Sequence, residues 1–115
     1  MFQLIGYMDN FKAGGNTSHA LKRSHRLQIA ERLIIEESAK VVKIAVVNKG
    51  HENGNEVHIV YNNGVVKVYN ERTRKFITVL IAREPQIVRY KIKVTKTMRK
   101  KIKSHIEQGY NNITF

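Results

Sequence analysis

The chain has no cysteine, no tryptophan, a single proline and only nine acidic residues. Without cysteine there is no disulfide, no thiolate nucleophile and no cysteine-based zinc site. No stretch approaches the roughly 18 consecutive apolar residues of a membrane-spanning helix. The opening MFQLIGYMDNFK lacks the basic start and long apolar core of a secretory signal, so the expected location is cytoplasmic. One proline and seven glycines among 115 residues, with 42% hydrophobic content, argue against global disorder. The length suits a single domain with one core, expected to occupy residues 1–115.

The shortage of acid is the other side of an excess of base. Twenty-one Lys and Arg against nine Asp and Glu leave a formal charge of +12. A small chain this cationic calls for a polyanionic partner, and nucleic acid is the first candidate. The excess is concentrated: Arg89 to Lys103 holds eight basic residues and no acid. Arg89, Lys91 and Lys93 alternate with Val88, Tyr90, Ile92 and Val94, which predicts a strand over 87–94 with cations about 6.6 Å apart along one side. Thr95 or Thr97 can then cap a basic helix over 95–109, ended by Gly109, with Lys96, Arg99, Lys100 and Lys103 on one face. That helix has a modest apolar stripe without Trp or Phe, a poor match to a membrane surface.

The centre of the chain reads as a sheet. In VHIVYNNGVVKVY the Asn63-Gly64 pair between alternating runs predicts a two-residue type I′ hairpin, with Tyr61 opposite Val66 and Val60 opposite Lys67. Alternation then puts Val57, Ile59, Tyr61, Val66 and Val68 on a buried face, leaving His58, Val60, Lys67 and Tyr69 on an open one. FITVLIA is a third, centrally placed strand, closed by Arg83-Glu84-Pro85.

Residues 1–17 read as a strand or loop. Residues 18–50 are expected to hold two helices, the first opening at His19 behind Thr17 or Ser18 and the second running through ESAKVVKIAVVNK to Gly50. The Val and Ile density of that second segment also suits a strand. The expected fold is α+β: two N-terminal helices packed on an antiparallel four-stranded meander over 56–94, followed by the basic helix.

Five histidines show no HExxH motif and no close His–carboxylate pairing typical of zinc sites, so no metal or other cofactor is expected. His19 and His58 differ from the rest, one at a helix start beside Arg23 and Arg26, the other on the expected open face. Metal-independent RNA cleavage needs a base for the 2′-OH, an acid for the leaving oxygen and cations for the charged phosphorane. Histidine and arginine meet those needs, and a hydroxyl such as that of Thr78 can orient the phosphate.

The order HALKRSHR, then a segment ending NKG, then VHIVYNNGVVKVYNERTRKFITVLIAR resembles small proteins of phages and mobile elements similar to the fold group of barnase, EndoU, colicin D and RelE nucleases. The resemblance covers about residues 18–90 and implies two helices before a four-stranded antiparallel sheet. It also implies functional roles for His19, Arg23 and Thr78, with Arg26 one position early for the second arginine. Together these readings predict a metal-independent endoribonuclease of toxin or effector type. His19, Arg23, His58 and Thr78 would carry catalysis, while Arg26, Arg83, Arg89, Lys91, Lys93, Lys96, Arg99, Lys100 and Lys103 would hold nucleic acid, RNA ahead of DNA. The alternative is a non-catalytic phage or mobile-element protein that binds nucleic acid, an acidic protein or a host nucleoprotein complex to regulate or inhibit it. An exposed edge strand would let two copies pair as a homodimer.

Overall fold

The computed structural model describes residues 3–16, 24–50, 54–82, 84–92, 100 and 104. In chain order the elements are β1 (Gln3–Met8), β2 (Gly15–Asn16), α1 (Ser24–Glu36), β3 (Val41–Asn48), β4 (Glu56–Tyr61), β5 (Val65–Asn70), β6 (Lys75–Ile81) and α2 (Glu84–Arg89). Five strands form an antiparallel sheet in the order β1-β3-β4-β5-β6, and the two-residue β2 adds in parallel beyond β6.

The sheet buries both faces. α1 lies over β5 and β6, where Ala30 and Leu33 pack with Ile44, Val57, Ile59, Val65, Tyr69, Phe76 and Val79. These helix positions fall on one stripe, as a helix that buries one side requires. The opposite face carries Ala45, Val47, Val60, Val66 and Val68, covered by Tyr90 and Ile92 with partly buried Ile87 of α2 beside them. Tyr7 of β1 meets Tyr90 edge to face, with ring centroids 6.1 Å apart, so the strand edge and the segment after α2 close on each other.

Three strands stand where the sequence predicts them, but the expected fold is corrected in two places. Among the described residues one helix precedes the main body of the sheet, because the segment expected to form the second is strand β3. α1 ends in a Schellman turn: the Ala39 N–H donates to Ile34 O at 2.8 Å, the Ser38 N–H to Ile35 O at 3.1 Å, and Ser38 sits at φ 51°. The chain reverses there, and the β-branched run that follows pairs with β1 on one side and β4 on the other. Ile44 to Val47 are buried without interruption, the pattern of a strand covered on both faces.

The second correction concerns 87–94. The cation alternation does not form a strand; α2 and a second Schellman turn occupy most of that span. The Ile92 N–H donates to Ile87 O at 2.9 Å and Lys91 adopts φ 54°. Pro85 ends the strand as expected, yet it also stands in the first turn of a helix, where its missing N–H and fixed φ are tolerated. Of the expected basic helix over 95–109 only Lys100 and Ser104 are described, both exposed.

The hairpin register differs by one residue from a type I′ turn. Val60 faces Val66, Ile59 faces Lys67 and His58 faces Val68. The loop is Asn62-Asn63-Gly64, closed by the Gly64 N–H to Tyr61 O at 3.0 Å. Gly64 takes φ 93°, whereas Asn63 does not adopt positive φ and instead accepts the Val65 N–H on Oδ1 at 3.2 Å. A three-residue loop with a left-handed glycine is the next commonest hairpin solution. The slip flips β5 relative to β4. Tyr69 therefore joins the α1 face, and His58 shares its face with Val66 and Val68.

Candidate nucleic-acid interface

The opposite face of β4 is not open. His58 is 2% exposed, and its Nε2 lies 3.0 Å from Glu56 Oε1, two residues away on the same side of the strand. Lys49 Nζ reaches the same oxygen at 3.1 Å. Burial raises the Glu56 pKa, but hydrogen bonds and charge from His58 and Lys49 outweigh it and hold the carboxyl below its ordinary value of 4.5. An ionised carboxylate only accepts, so Nε2 carries the proton in this contact. A buried ring already engaged by a carboxylate does not present that nitrogen to a phosphodiester at the surface.

Thr78 shares the His58 face. His58 pairs across to Val68, and Val68 pairs across to Thr78. Two strand spacings place the two residues about 10 Å apart with a valine between them. Tyr69 is on the other side of the sheet, buried against Phe11 and Phe76 at ring separations of 5.1 and 5.8 Å. Arg26 belongs to α1, with its side chain outside the described residues; His19, Arg23, Arg83, Lys93, Lys96, Arg99 and Lys103 lie wholly outside them. Arg89, Lys91 and Lys100 are exposed. Among the described residues no group of His, Asp or Glu could hold a metal ion, and no helix is long and apolar enough to cross a membrane.

A second set of cations, absent from the sequence-based list, stands at the β5–β6 end of the sheet. Arg72, Arg74 and Lys75 are exposed, as is Lys12 in the loop that docks there. Asn70 builds the turn: its Oδ1 accepts the Arg72 N–H at 2.8 Å and the Thr73 N–H at 2.9 Å, while its carbonyl accepts the Arg74 N–H at 2.8 Å. The Gly14 N–H donates to Arg74 O at 2.7 Å, fastening the 10–14 loop to the turn. The acids nearby are already engaged. Glu71 Oε1 accepts from Asn55 Nδ2 at 3.3 Å, and Glu56 is held by His58 and Lys49. Asn70 followed by ERTRK is visible in the sequence as a charged turn, but nothing local announces that residues 11–14 fold onto it.

Comparison of the chain with protein-family models, with curated proteins and with solved structures gives no match in any of the three.

Proposed function

We propose that this protein binds nucleic acid, RNA ahead of DNA, as a non-catalytic binder. The observation that carries the reading is the +12 charge of the chain, displayed on exposed side chains that include Arg89, Lys91 and Lys100. Cations of this kind neutralise phosphates and release counterions, which provides affinity without demanding a sequence. The burial of His58 and its bond to Glu56 favour binding over the competing reading, a metal-independent endoribonuclease, because they withdraw one of the two histidines that reading relies on.

The test is a fluorescence-anisotropy titration with labelled RNA and DNA over a series of salt concentrations, with RNA integrity followed in EDTA. Binding that falls steeply with salt, intact RNA, and loss of affinity in Arg89→Glu/Lys91→Glu/Lys100→Glu are expected. Absence of binding at low salt would end the reading. Fragments in EDTA that vanish in His19→Ala would replace it with the nuclease.

A further inference from the structure

Resting on that nucleic-acid reading, we propose that the β5–β6 turn with the docked 10–14 loop is a built phosphate-binding site that grips the sugar–phosphate backbone through Arg72, Arg74, Lys75 and Lys12.

Three features set this cluster apart from solvated surface charge. The first is that it is unneutralised. Among the described residues none of the four cations has a carboxylate within ion-pair distance; Glu56 is engaged by Lys49 and His58, and Glu71 accepts from Asn55. Four cations against the single exposed carboxylate of Glu71 leave this turn with a net positive charge among the described residues, an arrangement that attracts a polyanion.

Rigidity is the second feature. Asn70 caps two N–H groups of the turn, Thr73 Oγ1 accepts the Lys75 N–H at 3.3 Å, and β2 pairs Gly15 with Lys75. The loop approaches so closely that a Cβ on Gly14 would stand 3.1 Å from Thr73 O and 3.2 Å from Arg74 Cβ. Guanidinium groups mounted on a braced turn lose less freedom on binding than those on a loose one.

The third is the posture of the arginines. Arg74 is held at φ 62°, a left-handed backbone that glycine or asparagine adopts far more readily. Its guanidinium carbon lies 5.9 Å from the centre of the Phe11 ring. An aromatic face steers the planar fork while leaving its N–H edges free for the bidentate bonds that phosphate oxygens accept. The Arg72 guanidinium is directed instead toward Gly54, so the two forks rest on different neighbours.

The experiment compares wild-type protein, Arg72→Gln/Arg74→Gln/Lys75→Gln and Arg89→Gln/Lys91→Gln/Lys100→Gln for binding to single-stranded RNA, single-stranded DNA and duplex DNA across a salt series. Circular dichroism checks the fold of each variant. The turn variant is expected to lose about tenfold or more in affinity and to reduce the slope of log K against log salt by about 2, close to 0.7 per lost contact on a single strand. Acetylation footprinting of wild-type protein tests the site without mutation, with Lys12 and Lys75 expected to be protected in the complex. Wild-type binding with an unchanged turn variant and unprotected Lys12 and Lys75 would overturn this site while leaving the nucleic-acid reading intact. Failure of wild-type protein to bind any of the three would overturn both. Competition by polyglutamate as strong as that by RNA would make the partner an acidic protein and overturn the assignment to a phosphate backbone.

Discussion

His58 Nε2 lies 3.0 Å from Glu56 Oε1, and both side chains are buried on the face of β4 that packs toward Tyr90 and Ile92. Alternation along a strand puts positions 56 and 58 on one side, so the contact follows from register alone; it lies on the face that also carries the buried Val60, Val66 and Val68.

That pair gives the molecule an acid-sensitive component. Glu56 has a folded-state pKa below 4.5, so the stability it contributes is fully present above that value and is lost as pH falls through the folded value. Thermal unfolding followed between about pH 3 and pH 6 is expected to show wild-type stability dropping more steeply than that of Glu56→Gln. At neutral pH, where the wild-type pair is intact, Glu56→Gln is expected to be less stable by about 1–3 kcal/mol.

At the alkaline end the sign reverses. Burial raises the Tyr69 pKa above 10.0, with the Lys67 charge only partly opposing it. The stability tied to the neutral phenol is present below 10 and is lost as pH rises through the folded value. Tyr69→Phe is expected to flatten the decline above pH 10 in urea melts, whereas a decline as steep as wild type would remove Tyr69 from the account.

The β4–β5 loop makes its own predictions. In the three-residue loop Asn63 does not adopt positive φ and its side chain holds the Val65 N–H. Asn63→Gly is therefore expected to destabilise by about 1 kcal/mol. Gly64→Ala, forced to φ 93°, is expected to cost about 1–2 kcal/mol. Chemical denaturation of the two variants measures both losses, and an Asn63→Gly as stable as wild type would remove the Asn63 side-chain bond from the account.

Ser38 and Lys91 each occupy the left-handed position of a Schellman turn, where glycine is usual. Ser38→Gly and Lys91→Gly are expected to stabilise by about 0.5–1 kcal/mol each, with the urea midpoint rising and the slope unchanged. A fall in midpoint would show that the Ser38 or Lys91 side chain contributes more than its backbone strain costs.

β1 carries no charged residue and leaves Leu4, Ile5 and Tyr7 exposed beside β3 at the sheet edge. An uncharged, apolar edge strand of this kind is a surface on which two copies can pair. Sedimentation at rising concentration is expected to show any self-association abolished by Ile5→Lys; association that survives the substitution would place the contact elsewhere.

How far the fold can be read without coordinates differs by segment. The strands at β4, β5 and β6 are legible because alternation, β-branched density and turn residues agree there. β3 is not, since a run such as VVKIAVV has no period that separates a buried helix from a strand covered on both sides. The cation ladder over 87–94 misleads for a related reason: alternating charge is compatible with a short helix followed by a left-handed turn at Lys91. The candidate site divides in the same way. The basic character of Arg89, Lys91 and Lys100 is visible in the letters, while the set at Arg72, Arg74, Lys75 and Lys12 depends on a loop distant in sequence docking onto a turn.

Charge, the absence of thiol chemistry and the positions of the three central strands were determined by the sequence by itself, because net charge is additive and strand patterns are local. The tertiary structure alone decided that residues 41–48 extend rather than coil, that the hairpin slips by one residue, and that His58 is covered. Each of those choices lies between local conformations of similar energy, and burial on two faces with a complete hydrogen-bond ladder selects among them.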